Sequence, residues 1–469
     1  MAKGPGDRRL VAAWSCAAPA LLALLLACGG AAKRPGDVLL ITVDTLRPDH
    51  LGLYGYERTT SPAIDRWFAD AAIFERAYTT NAHTPPSVVS ILTGHLPQEH
   101  GVRLFYQLLP QGVLLIPDRL PDSYRTAAFV SNVVLTEEAL GIASHFDHFD
   151  DRVDEKEPHR RVYERNARRT TNAALLWLAE HRDPEYPLFL WVHYNDPHGP
   201  YRPPSDAVVS FQHEGRVPVR NKRILSYQRE KGVEDALDYV DRYDEEIAYV
   251  DAQIGRLLDG YAQRHDPAAA LMIFAADHGE SMIEHERWFT HGYQVYEEII
   301  RIPLMIRGPG VEGGRRHGVV STIDLMPTIL RFAEASTPGL AGRPLQRGHE
   351  RESSDRTVFA EGGPGLTLLR AAIQGDRKWV TRVRVGKPEP TQHEFFDLAN
   401  DPGETLPQEW APDELADGAR DLLGLIERDP DPGGRPESFR KGVQLKAPKV
   451  APRAGQKAIE RLRALGYVE

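Results

Sequence analysis

Cysteine is nearly missing from this chain: of 469 residues only Cys16 and Cys28 carry a thiol, and both lie in an apolar amino-terminal stretch. Everything after Cys28 therefore can form no disulfide, no thiolate metal site and no cysteine nucleophile. A strong excess of one charge is missing too. The chain has 57 basic and 67 acidic residues, dispersed to a formal net charge of −10, which excludes a basic nucleic-acid track. Short basic clusters such as RRVYERNARR read as solvated helix faces. Beyond the amino-terminal stretch no run is apolar for long enough to cross a bilayer. What is present is a 41% hydrophobic content, sufficient for one large core with room for a smaller appended domain.

The amino terminus reads as a targeting segment. Arg8 and Arg9 precede LVAAWSCAAPALLALLLA, which Cys28 and the small residues GGAA close, the pattern of an export signal. LLAC is similar to a bacterial lipobox, in which the cysteine is lipidated and becomes the mature first residue, although Leu26 is a less usual choice beside the alanine. The expectation is an exported chain tethered to a membrane surface in the bacterial cell envelope, facing the periplasm, through lipidated Cys28 and without a spanning helix in the mature protein. An ordinary cleaved signal, giving a secreted or periplasmic protein, and a single amino-terminal anchor are the other readings. The division expected is a leader over 1–28, a linker over 29–36, a catalytic domain over 37–350, a small domain over 351–440 and a tail over 441–469.

Further on, strands alternate with helical stretches, as in an α/β sheet covered on both faces. DVLLITVDT, RTAAFVSN, LFLWVHYNDPHGPY, LMIFAADHGE and IPLMIRGPG are candidate strands. VYERNARRTTNAALLWLAEHR and YDEEIAYVDAQIGRLLDGYAQR repeat apolar residues at helical spacing. The recurrent event is an apolar strand that stops at Asp or His. In open α/β sheets ligands collect outside the carboxyl ends of the strands, so Asp44, Asp277 and His278 can converge although far apart in the chain. Carboxylate oxygens with an imidazole suit a hard or borderline divalent cation. The plainer reading is that Asp44 and Asp277 cap helices.

NAHTPPSVVSILTG, ending at Gly94, has the shape of a turn running into a helix, with Thr84 just before two prolines. Thr84 is either a helix-start residue or a reactive hydroxyl. His95, His100 and His193, beside apolar strands or turns, read as hydrogen-bonded structural residues. Asp324 in STIDLMPTIL reads as a helix-start residue.

DVLLITVDTLRPDHLGLYGYERTTSPAIDRWFADAAIFERAYTT, TPPSVVSILTG, HYNDPHGPYRPP, AADHGESMIEHERWFTHGYQVYEEIIRIPLMIRGPG, STIDLMPTIL and FFDLANDPGE closely resemble, in order, blocks of the sulfatase family of the alkaline phosphatase superfamily. The resemblance runs from about Asp37 to Glu404, and the closing RLRALGYVE is similar to the tail of many bacterial sulfatase-like proteins. It implies an alkaline-phosphatase-like α/β fold, with a mixed, mainly parallel sheet sandwiched by helices, and a small carboxyl-terminal antiparallel-sheet domain built from VFAE, LRAAIQ, KWVTRVRV and HEFFDL. By position Asp44, Asp277 and His278 match metal ligands and Thr84 the nucleophile. His198 matches the histidine near the substrate ester oxygen. His291 lies about one position from where many sulfatases place a sulfate-binding lysine. Tyr201 and Arg202 follow the His198 block.

The chain departs from the family pattern at three places. The C/S-x-P-x-R motif, whose Cys or Ser is oxidised to formylglycine, here offers Thr84 with Val88 in place of the arginine. Thr45 stands where many sulfatases have a second metal-binding aspartate. A cation makes a neighbouring hydroxyl more acidic, so Thr84 can attack as an alkoxide. Formylglycine hydrate has a second hydroxyl that expels sulfate by breaking a carbon–oxygen bond, and Thr84 lacks that exit. A phosphorylated threonine, by contrast, can be displaced in line, as in related phosphodiesterases and phosphoethanolamine transferases with threonine nucleophiles.

The resemblance thus implies a metal-dependent ester hydrolase or transferase. One divalent ion, Ca, Mn or Zn, is held by Asp44, Thr84, Asp277 and His278; His198 is the general acid and His291 steadies the equatorial oxygens. A second ion on Asp196, His198 and His291 is a variant. Phosphate or phosphonate mono- and diesters are favoured over sulfate esters, with small-molecule, glycan or lipid esters as substrates and no nucleic acid. A sulfatase without formylglycine and a catalytically degenerate surface-binding protein are the alternatives. Specificity is expected in long loops such as PPSDAVVSFQHEGRVPVRNKRILSYQREKG.

Overall fold

Val38–Val43 form β1, and all six residues are buried because the strand is covered on both faces. The structure, a computed structural model, describes residues 1, 36–153, 156, 163–181, 186–204, 207, 209–346, 356–363, 367–384, 387–410 and 417–429. Cys28, the leader, the linker up to residue 35 and the tail over 441–469 lie outside the described residues. Among the described residues no helix is long and apolar enough to cross a membrane.

Eight further strands join β1: β2 (Ala72–Tyr78), β3 (Arg125–Val130), β4 (His148–Asp150), β5 (Leu188–Tyr194), β6 (Leu271–Ala276), β7 (Arg301–Arg307), β8 (Gly314–Arg316) and β9 (Val320–Ser321). The order is β4-β3-β5-β1-β6-β7-β2-β8, with β9 also on β2. Only β7 runs against the rest, pairing antiparallel with β6 and β2. The sheet is therefore mixed and mainly parallel, as the resemblance implied. The register sets Val43 between Tyr194 of β5 and Ala276 of β6, so the residues after these three strands emerge side by side.

Helices α1 (Pro62–Trp67), α2 (Thr84–Thr93), α3 (Ala167–Glu180), α4 (Leu237–Ala262) and α5 (Leu325–Phe332) surround the sheet. Their apolar faces and the strands share one continuous core. The two helices expected from spacing are α3 and α4. Within the basic cluster Arg168 is exposed on α3 as expected, but Arg165 is buried, donating to Asp150 Oδ1 at 2.6 Å and to Val130 O at 2.9 Å, so it ties strands together rather than facing solvent. Asp324 does start a helix, its Oδ2 accepting from Ser321 N at 2.9 Å, and it also holds Arg356 at 2.6 Å.

A second, four-stranded antiparallel sheet, β10 (Thr357–Gly362), β11 (Thr367–Gln374), β12 (Arg377–Arg384) and β13 (Lys387–Asp397), contains all four strand segments expected from the sequence. One face packs α6 (Asp417–Arg428) through Trp379, Val383, Ala419 and Leu422. The other shares a core with Tyr78, Ala82, Val295 and Ile299. The edge strand β10 also reaches the main sheet's loops: Ala82 N donates to Glu361 O and Glu361 N to Thr80 O, both at 2.9 Å, and Gly363 N donates to Gly292 O at 2.7 Å. These bonds hold the segments leading into Thr84 and out of His291.

Candidate metal and ester-hydrolysis site

The carboxyl ends of β1, β5, β6 and β3 deliver Asp44, His193, Asp277 and Asn132 to one place. Asp44 Oδ2 accepts from Asn132 Nδ2 at 2.6 Å and from the Thr84 hydroxyl at 3.4 Å. Asp277 Oδ1 accepts from the backbone N–H groups of Thr45 (3.2 Å) and His278 (2.8 Å). His278 Nδ1 donates to Gly279 O at 2.9 Å, which leaves the neutral ring's lone pair on Nε2. That atom lies 3.2 Å from Thr84 Oγ1, 3.7 Å from Asp44 Oδ1 and 3.5 Å from Asp277 Oδ2. The three ligands and the hydroxyl expected from the sequence are thus brought together.

Thr84 is the first residue of α2, with His83 at the cap position and no side-chain cap bond. Its hydroxyl therefore does not cap the helix and is turned to the acidic pair. Pro85 and Pro86 begin the helix without N–H groups, so the positive helix end acts by its field more than by donors. Ser87 Oγ donates to Asp277 O at 2.6 Å, locking the helix start to the end of β6. Val88 is in the core, so no charged group stands in for the missing arginine there.

The site is buried: Asp44, Thr84, Asp277 and His278 are all at 0% exposure. Burial pushes the Asp44 carboxyl up, but His193, His198 and His278 outweigh it and leave it well below the usual range. Burial and then the Asp44 charge push Asp277 well above its usual range. The pair is built to carry one negative charge unless a cation joins it. Asp44 Oδ1, Asp277 Oδ2 and His193 Nε2 complete no hydrogen bond, although all are buried. Two unpaired carboxylate oxygens and a ring nitrogen facing one another fit a divalent cation. Asp44, His193 and Asp277 each offer a ligand atom within 4.8 Å of the others.

His193, read from the sequence as structural, therefore belongs to the site. Its Nδ1 bonds Thr42 Oγ1 at 2.9 Å, and its Nε2 is 3.8 Å from Asp44 Oδ2. His95 and His100 stay outside, paired with Glu99 and with Ser90 Oγ. Thr45 holds φ at 54°, a left-handed conformation strained for a β-branched residue, and its buried hydroxyl has no partner.

A second layer consists of histidines. The His291 ring is 4.5 Å from that of His278 and 5.1 Å from that of His198, which puts it beside the acidic pair's imidazole. Burial pushes both His278 and His291 down to about 4. His291 Nδ1 lies 3.2 Å from Glu280 Oε1, and Tyr201 OH donates to Glu280 Oε2 at 3.0 Å. Burial raises Glu280 to about 7, and His198 draws it back. His198 Nδ1 donates to Gly199 O at 2.8 Å. His83, not singled out in the sequence, packs on Gly292; a Cβ there would lie 2.3 Å from His83 Nε2, and φ is +81°. Asp196 turns away, accepting from Ala167 N at 2.9 Å, and among the described residues it forms no ligand cluster with His198 and His291. Arg202 holds Glu230 at 2.7 Å.

The sequence profile of the Sulfatase family matches residues 36–335. An arylsulfatase of Clostridium perfringens is 26% identical over 447 residues, covering 78% of this chain and 89% of that protein. Among solved structures, a 2-O GAG sulfatase superposes with a TM-score of 0.68 at 19% identity, over 87% of this chain and 94% of that one. A phosphonate monoester hydrolase of Silicibacter pomeroyi gives 0.66 at 20% identity, over 84% and 95%.

Proposed function

The chain belongs to the sulfatase family as a hydrolase of phosphoric or sulfuric esters, and on that premise we propose that it uses Thr84 as nucleophile on phosphate or phosphonate mono- and diesters. One observation carries the reading: Thr84 Oγ1 lies 3.2 Å from His278 Nε2 and 3.4 Å from Asp44 Oδ2, beside two unpaired buried carboxylate oxygens. Asp44, Asp277, His278 and Thr84 would hold one divalent ion, with His193 as a further nitrogen donor. Two imidazoles shift the donor set towards Zn or Mn and away from Ca. When bound, the ion supplies positive charge that offsets the charge developing on the attacking and transferring oxygens.

The chain's own groups supply the rest. The Thr84 proton goes to Asp44 Oδ2, since the only lone pair of His278, on Nε2, would be committed to the ion. The Thr84 oxygen forms a bond to phosphorus as the bond to the leaving oxygen breaks, and His198 protonates that oxygen. Since His198 Nδ1–H is committed to Gly199 O, the ring must start as imidazolium and give its proton from Nε2. Water then attacks phosphorus in line and gives a proton to the now neutral His198 Nε2, while the bond to the Thr84 oxygen breaks and that oxygen takes its proton back from Asp44. His291 meets the equatorial oxygens. Sulfate hydrolysis is the second reading, favoured by the similarity to an arylsulfatase, but it requires direct attack on sulfur in a sulfated threonine. The buried, unpaired acidic pair weighs against a purely binding role. Export and lipidation at Cys28 belong to the same proposal and rest on the leader sequence alone.

A panel of aryl phosphomonoesters, phosphodiesters, phosphonates and sulfates, run with several metals, tests this. Thr84→Ala is expected to lose on the order of 10³-fold or more in kcat. Full activity in that variant overturns the nucleophile, and sulfate esters turning over best overturns the preference.

A further inference from the structure

Gln228 is fully buried, yet neither its amide nitrogen nor its amide oxygen completes a hydrogen bond. An orphaned amide carries a desolvation cost that a molecule binding beside it can remove. The amide packs against Gly199, where an added Cβ would lie 1.8 Å from Nε2 and 2.1 Å from Oε1. Gly199 follows His198 and accepts its Nδ1 proton. Tyr227, half-buried and within the fields of Glu280 and Asp44, brings its hydroxyl up to the amide without completing a hydrogen bond. Gln228 thus comes from the long loop over 203–232 and stands beside the acid that serves the leaving group.

Its placement is built. Gln228 N donates to Leu225 O at 3.1 Å, closing a turn. Before the turn, Ile224 bridges to Trp288, and Trp288 N donates to Arg223 O at 2.9 Å. After it, Glu230 N donates to Tyr239 OH at 2.8 Å and Glu230 Oε1 accepts from Arg202 at 2.7 Å. The backbone is held on both sides of Gln228 and the side chain packs on Gly199, so its place beside His198 is set before a ligand binds.

We propose that Gln228 is a substrate-contact residue that hydrogen-bonds the leaving-group side of the ester and selects esters of hydroxyl-bearing alcohols, such as sugars and other polyols, over aryl esters. The inference rests on the assignment of His198 to the leaving oxygen. The amide offers two N–H donors and one carbonyl acceptor, and a hydroxyl both donates and accepts, so one group answers both atoms. An unsubstituted aryl ring answers neither and leaves the amide orphaned.

The test measures kcat/KM of the full metal-loaded chain on hexose 6-phosphates, hexose 6-sulfates and phenyl esters, for wild type, Gln228→Met and Thr84→Ala. Gln228→Met keeps the volume of the side chain and removes its hydrogen bonds. It is expected to lose about 10-fold or more on the sugar esters, mainly in KM, with less than about 3-fold change on the aryl ester. Competitive inhibition of aryl turnover by the same hexose esters gives a second readout and is expected to weaken by the same factor. An equal loss on both ester classes with an unchanged melting temperature overturns the inference, as does no loss on either. The Thr84→Ala arm reads the nucleophile separately: its retained activity sinks that assignment whatever Gln228 does.

Discussion

Thr84 and His193 show what single residues can and cannot announce. Asp44, Asp277 and His278 were legible because each ends an apolar strand, where a polar residue has no packing reason to be. His193 is inside β5, and a histidine in a buried strand gives the same pattern whether it serves packing or chemistry. Only the register, which sets Thr42 of β1 opposite His193, reveals that its Nε2 faces Asp44. Asn132 obeys the strand-end rule, since it follows RTAAFVS, but without a charge it does not mark a metal site. If His193 lends a nitrogen to the cation, His193→Ala weakens metal affinity by about 10–100-fold, read by competition titration against a chelator. Unchanged affinity would leave the residue as a partner of Thr42 only. No alignment of residue types shows why Thr45 is strained; its φ is a property of the folded loop.

Elements were legible in proportion to how plainly they alternate or repeat. Five strands of the large sheet are apolar runs bounded by polar or turn residues, and those of the small one alternate or hold a short apolar centre. β2 escaped because Glu75 and Arg76 interrupt it where its pairing with β7 shifts register, and Glu75 is held by Arg315 at 2.8 Å. β4, β8 and β9 are two or three residues long and have no period to read. The contact between the sheets was hidden for another reason. Lys378 on β12 is buried, its Nζ 2.6 Å from Glu404 Oε1 and 3.3 Å from Glu297 Oε1, while Glu297 N donates to Glu404 at 2.6 Å. A lysine in an alternating strand reads as solvent-facing until its acceptors arrive from elsewhere in the chain. Lys378→Met leaves the buried Glu404 and the half-buried Glu297 without their cation, and we expect a loss of about 3–5 kcal/mol in denaturant unfolding. A loss under about 1 kcal/mol would mean that the pair is effectively solvated.

At the scale of the whole molecule, the acidic pair makes stability depend on both pH and metal. Asp277 binds its proton more tightly folded than unfolded, because burial and Asp44 oppose its charge. From the ordinary carboxylate pKa of about 4 upward, the metal-free fold therefore loses stability as pH rises, until Asp277 ionises in the folded state. Asp44 works in the opposite sense: its contribution is present above that range and is lost only as pH falls. A bound divalent ion supplies the missing charge and adds about 2.7 kcal/mol at a hundredfold excess over its Kd. Adding a chelator is thus expected to lower the melting temperature by about 3 °C or more, and by more near pH 8 than near pH 6. Asp277→Asn removes the repulsion, so the metal-free variant should melt above the metal-free parent while losing most of the metal-induced rise. Differential scanning calorimetry over that pH range checks both signs. A chelator shift that is absent, or the same in parent and variant, would detach the cation from Asp44 and Asp277 and with it the chemistry assigned to Thr84.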